Sequence, residues 1–184
     1  MIKKWAALFL FIASFNAFSQ EVFTSSATHS DYISLGSFNE SQIKAFDIQN
    51  NQITWLEKTS LQQTGQLSVE DFADMIFAKN LSFHIEGYEP FWSGSLSENT
   101  LSFFAPDSDK EAHYPVNITL NKNDINSYLF LLMFQSQDKT IYGVVRGLPG
   151  QSPCDFSLEE EQTRFEVFIN YQGQLHRGCA RISS

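Results

Sequence analysis

Cysteine is scarce in this 184-residue chain, with Cys154 and Cys179 its whole complement. There is no C-x-x-C pair and no close group of thiols and imidazoles, so neither a dithiol redox centre nor a zinc knuckle is written in the sequence. Basic residues are also few, 12 Lys and Arg against 21 Asp and Glu, for a net charge of -9. So acidic a chain is repelled by phosphate backbones, and nucleic acid is not an expected partner. After residue 19 no apolar run approaches the roughly 20 residues that a spanning helix needs, so no membrane span is expected in the mature chain. Charged residues, at 18%, are too sparse for a coiled coil, while 42% hydrophobic content with 18 Phe is too rich for disorder. The length fits one domain with a real core.

Catalytic signatures are missing as well. The chain has no H-E-x-x-H, G-x-S-x-G, P-loop or dinucleotide fingerprint. Ser41-Gln42-Ile43-Lys44 matches S-x-x-K, but Lys139-Thr140 is followed by Ile141 instead of the companion Gly, and the match is read as chance. His29, His84, His113 and His176 are scattered. His84 and Glu86 alternate onto one strand face, yet a solvated or hydrogen-bonded histidine is the preferred reading, and neither a metal nor a cofactor is expected. Asp107, Asp109 and Glu111 lack the glycine and ligand spacing of a calcium loop, which leaves a solvated turn.

What is present begins with an address. Lys3-Lys4, an apolar stretch from Trp5 to Phe15, and Ala17-Phe18-Ser19 form the three parts of a secretory leader, with small residues at the -3 and -1 positions of the cleavage site. Residues 1–19 are therefore read as a signal peptide and the protein as periplasmic or secreted. The cleavage point has no Cys to carry a lipid. In an oxidising compartment the lone pair Cys154 and Cys179 most simply forms a disulfide, worth roughly 3 to 4 kcal/mol in the chain-entropy model.

Residues 20–80 read as an N-terminal extension. Its first part, to residue 67, is rich in Ser, Thr, Gln and Asn with no sustained period. Ile53 to Leu56 suggests a strand and Glu40 to Asp47 a short helix capped by Asn39. Ser68 followed by Asp71 resembles a capping box, and Val69, Phe72, Ala73 and Ile76 share one face of a helix over 69–79 that stops at Asn80.

From residue 81 to 184 short aromatic and β-branched runs alternate with turn residues. Strands are predicted near 81–86, 91–96, 100–105, 115–120, 127–135, 140–146, 164–171 and 174–182. In the last hairpin Phe165, Val167, Ile169 and Tyr171 share one face, while Glu166, Phe168 and Asn170 point the other way. The apolar run Tyr128 to Phe134 fits a strand buried on both faces. Together these patterns predict a mainly β fold, a small antiparallel β-barrel or sandwich with one helix covering an opening or edge.

Gly87-Tyr88-Glu89-Pro90-Phe91-Trp92 is the most distinctive local composition, a carboxylate bracketed by Gly and Pro and followed by two large aromatics. Further on come Cys154-Asp155, the acidic run Glu159-Glu160-Glu161, the strand Phe165 to Tyr171, and Gly178-Cys179-Ala180. In this order the motifs resemble those of an uncharacterised family of bacterial exported domains, often lipoproteins, that carry G-x-E-P-F-W near their start and a Cys and a Gly-Cys pair near their end. The resemblance covers about residues 81–182. It departs where the family has a Gly-Met-Ser-Asp-like stretch and a Tyr after the first Cys, since Phe156-Ser157-Leu158-Glu159 and Phe165 stand there. It implies a fold and a compartment more than an activity.

Glu89, Phe91 and Trp92 are the candidate ligand-binding residues, a carboxylate beside an aromatic platform. The plainer alternative packs Phe91 and Trp92 in the barrel and has Glu89 accept backbone hydrogen bonds at a bulge. The function expected is non-catalytic binding of a small molecule or a protein of the envelope. A small periplasmic hydrolase or metal-dependent enzyme using Glu89 with a converging His is the alternative from a different class. A third reading is an inhibitor of a cationic envelope hydrolase, acting through Glu159 to Glu161.

Overall fold

Antiparallel pairing begins at the first described residue. A computed structural model of the chain describes residues 20–25, 30–120, 130–148, 153–155 and 161–184. The leader, His29, the turn at 121–124, Tyr128-Leu129 and Phe156 to Glu160 lie outside them.

The extension is an ordered sheet. Strands β1 (Gln20–Ser25), β2 (Asp31–Phe38), β3 (Gln42–Asp47) and β4 (Gln52–Glu57), a single 3-10 turn at Lys58–Ser60, and β5 (Leu61–Leu67) follow in sequence. They pair in the order β4-β3-β2-β1-β5. The expected helix at Glu40 to Asp47 is corrected to a turn and strand β3. Asn39, instead of capping a helix, accepts hydrogen bonds on its side-chain oxygen from the amides of Ser41 (3.1 Å) and Gln42 (2.7 Å) and so closes the β2–β3 turn. Pairing on both edges, with Phe46 opposite Ile33 and Ile53, then outweighs weak helical preference. Strand β2 is irregular at Gly36, whose φ of 74° suits glycine and against which Phe165 packs too closely for a Cβ.

Helix α1 (Val69–Ala78) follows its sequence signals. The Ser68 hydroxyl oxygen accepts from the Asp71 amide at 3.0 Å. At the other end Asn80 takes a left-handed φ of 55°, its amide bonds the Phe77 carbonyl at 3.0 Å, and the Leu81 amide reaches the Ile76 carbonyl at 2.9 Å. These two bonds make a Schellman cap, and the residues that bracket it, Ile76 and Leu81, are both buried.

Eight strands then close a barrel: β6 (Ser82–Tyr88), β7 (Phe91–Leu96), β8 (Thr100–Phe104), β9 (Glu111–Leu120), β10 (Leu131–Ser136), β11 (Ile141–Gly147), and, after the short β12 (Gln162–Thr163), β13 (Phe165–Tyr171) and β14 (Gln174–Ser183). The barrel order is β10-β11-β13-β14-β6-β7-β8-β9, and every pairing is antiparallel. Between β11 and β13 the chain leaves the barrel, and β12 pairs with β2 of the extension sheet. Cys154 and Cys179 are disulfide-bonded, with Cα atoms 5.8 Å apart, and tie that excursion to β14.

Inward residues fill the barrel instead of lining a channel, as is usual for eight strands. Phe83, Ile85, Trp92, Phe103, Phe134, Val167 and Ile169 are buried there. At the end where β6 starts, Phe72 of α1 meets Phe130 and Phe165, which also hold Phe83, in an aromatic cluster with centroids 5.4 to 6.3 Å apart. The helix thus closes one barrel end and joins barrel and extension in one core, which also holds Ile33, Leu35 and Phe46. One expectation changes. The run ending at Phe134 is not buried on both faces, because Leu132 and Phe134 point inward while Met133 is 42% exposed. Among the described residues no element covers the outer wall at Met133. Among the described residues no helix is long and apolar enough to cross a membrane.

Candidate functional site

The distinctive hexapeptide forms the β6–β7 hairpin at the barrel end opposite α1. Tyr88 pairs with Phe91 across a tight turn whose Glu89–Pro90 peptide is cis. Glu89 and Pro90 are exposed, and so is Phe91, at 53%. Phe91 leans on Tyr88 and Phe104, at centroid distances of 6.2 and 6.4 Å.

Trp92 does not join them. It is 1% exposed and packs inside the barrel on Phe103 at 5.8 Å and His176 at 6.4 Å. Successive strand residues face opposite sides, so Phe91 and Trp92 cannot form one platform. Gly87 and Gly178 leave the room its indole occupies, and a Cβ at either would meet the ring. The hexapeptide therefore divides into a packing half, Gly87 and Trp92, and an exposed half, Glu89 and Phe91.

Besides Asp47 in the extension sheet, two buried carboxylates lie on the outer wall of the barrel. Glu86 meets Arg181 at 3.1 Å and lies 3.6 Å from the His84 imidazole. Burial acts to raise its pKa, but hydrogen bonds from His84 and Tyr88 and the Arg181 charge together hold it below the ordinary carboxylate range. His84 thus sits in an ion-pair cluster, and no group of three His, Cys, Asp or Glu side chains gathers in metal-binding fashion among the described residues. The S-x-x-K match lies at the start of β3, where Lys44 pairs with Glu161 at 2.9 Å. Glu161 is the only member of the acidic run within the described residues.

Glu166 is the other buried carboxylate of the barrel wall, 0% exposed. Arg146 of β11, directly opposite on the neighbouring strand, donates to it from Nε at 2.6 Å, and Arg177 of β14 donates to its other oxygen. Phe168 lies between the two guanidiniums, 5.3 Å from Arg146 and 5.9 Å from Arg177. The arginine side chains remain 47% and 50% exposed. One carboxylate and one ring thereby fix two guanidiniums while leaving part of each facing solvent.

Around this group the pairing register assembles an apolar surface. Met133, Val144, Phe168 and Arg177 lie in one cross-strand row over β10, β11, β13 and β14, and Tyr142, Asn170 and Leu175 form the next. Met133, Tyr142 and Leu175 are 42%, 47% and 69% exposed. Of the five large hydrophobic residues exposed among the described residues, Ile48 alone lies off the barrel, so the exposed apolar surface is concentrated on its wall. Flat apolar side chains beside planar cations can take a ring or aliphatic face and a carboxylate together.

Comparison of the chain with protein-family models, curated proteins and solved structures finds no match.

Proposed function

We propose that this protein is a non-catalytic binding domain of the bacterial envelope, exported by its leader, as the resemblance of its hexapeptide and Cys motifs to exported domains also suggests. The binding surface in this reading is the outer wall of β10, β11, β13 and β14. The observation that carries it is the placement of exposed Met133, Tyr142 and Leu175 around the Arg146–Phe168–Arg177 stack. Aromatic and arginine side chains in a preorganised patch are the residues that dominate binding energy elsewhere. The ligand such a surface suits has a carboxylate and an apolar or sugar-ring face. Glu89 and Phe91 lie outside the two rows, and Trp92 serves the core.

Soluble muropeptides, which combine sugar rings with carboxylates, are the probe. Calorimetric titration of the oxidised protein is expected to give saturable binding that Tyr142→Asp with Leu175→Asp abolishes and Glu89→Ala with Phe91→Ala leaves within twofold. Binding lost only in the Glu89 and Phe91 variant would return the site to the hairpin. No saturable binding would remove this ligand class.

A further inference from the structure

The first residue after the predicted leader, Gln20, is unusually placed. It is 1% exposed, and neither the Nε2 nor the Oε1 of its side chain has a hydrogen-bond partner. It opens β1 opposite Leu67, and its amide nitrogen Nε2 lies beside Gly36, the residue against which Phe165 packs. Buried polar side-chain atoms are satisfied in the great majority of cases, and leaving both ends of an amide unpaired is a marked exception.

Cleavage after Ser19 makes the anomaly sharper. Gln20 would then carry a free α-ammonium as well, adding a charge to a site that already leaves its amide unsatisfied. Glutamine is the residue whose own chemistry can remove both that charge and the unpaired Nε2 donors. We infer that Gln20 is a modification site, at which the mature amino terminus closes to pyroglutamate. This inference rests on the export reading and on the cleavage site that reading places after Ser19.

The step balances within the chain. The neutral α-amine nitrogen attacks the side-chain carbonyl carbon Cδ, the Cδ–Nε2 bond breaks, and Nε2 leaves as ammonia, taking one proton from the attacking amine. No oxidant, reductant or co-reactant takes part. The product lactam keeps one N–H and one carbonyl, has no charge, and has lost the two unpaired donors of Nε2. A residue without a side-chain amide, such as Ala, cannot make this change.

The test uses the full precursor, exported with its own leader and purified oxidised. Intact mass and amino-terminal peptide mass spectrometry read the terminus, and pyroglutamyl aminopeptidase acting on the denatured chain checks the ring. The expected mass is that of residues 20–184 less one ammonia, with sequencing blocked until the peptidase acts. The Gln20→Ala chain should keep a free amine and melt at a lower temperature. A Gln20 terminus that keeps its amide and free amine after prolonged incubation at neutral pH would overturn the modification and leave export standing. A terminus at any other residue, or an uncleaved leader, would overturn the modification together with the cleavage site it rests on.

Discussion

Replacing Phe72 with alanine is the sharpest test of how the extension and the barrel are joined. Phe72 is 0% exposed and touches rings from two distant parts of the chain, Phe130 at 5.9 Å and edge-on, and Phe165 at 6.3 Å and stacked. Truncation removes the ring from water-free surroundings and leaves a cavity that the barrel rim, held by its ladder, cannot fully collapse. Buried Phe to Ala changes of this kind cost about 3 to 5 kcal/mol. The aromatic pairs contribute about 0.5 to 1.5 kcal/mol each beyond their buried area, which places Phe72→Ala toward the upper half of that range. Urea unfolding followed by both far-UV circular dichroism and tryptophan fluorescence measures the loss. One transition should shift in both signals with an unchanged slope, because helix, sheet and barrel share a core. Phe91→Ala, at an exposed position, should move stability by no more than about 0.5 kcal/mol. A loss below about 1 kcal/mol for Phe72→Ala, or a transition that splits with the barrel signal unmoved, would refute the shared core.

Three further outcomes rest on single features. Removing the disulfide with Cys154→Ser and Cys179→Ser, which are 25 residues apart, should lower stability by roughly 3 kcal/mol on the chain-entropy model, read by the same unfolding assay. Ser68→Ala should cost about 1 kcal/mol by removing the bond to the Asp71 amide, and Ser68→Gly less, as measured by melting temperature. Because Glu86 is held below its ordinary value of 4.5, its ionised form favours the folded state. That contribution is fully present above pH 4.5 and is lost as pH falls through the lower native value, so wild type should lose stability more steeply than Glu86→Gln on acidification, in melts recorded from pH 6 downward.

Much of the barrel is legible from local pattern. Strand β7 falls on the predicted 91–96, and the final hairpin alternates as read, because one face of each strand is packed and the other is not. The helix is equally plain, since Ser68, the 69–72–73–76 face and Asn80 all act locally. The extension is harder because its buried positions mix polar with apolar residues. Ser34, Ser37 and Asp47 are enclosed with Leu35 and Phe46, which hides the period of two. Asn39 misleads for a simple reason, since the same side-chain oxygen that caps a helix also closes a turn.

The hexapeptide drew attention to Glu89 and Trp92, but alternation along β7 separates Phe91 from Trp92. The arginine stack depends on which strands lie side by side, and that is fixed by long-range pairing of β11, β13 and β14. One signal was present in the sequence. Phe168 shares the outward face of its strand with Glu166 and Asn170, and an aromatic residue on a polar face asks for a partner.

Whether the outer wall around Phe168 binds a carboxylate-bearing ligand is tested most directly by an amide-resolved NMR titration of the oxidised mature protein with muropeptides. Shifts should saturate together at Met133, Tyr142, Arg146, Phe168, Leu175 and Arg177, with the Glu89 and Phe91 amides unmoved. Saturating shifts confined to the hairpin at 88–91, or none on the outer wall at millimolar muropeptide, would contradict a binding site there.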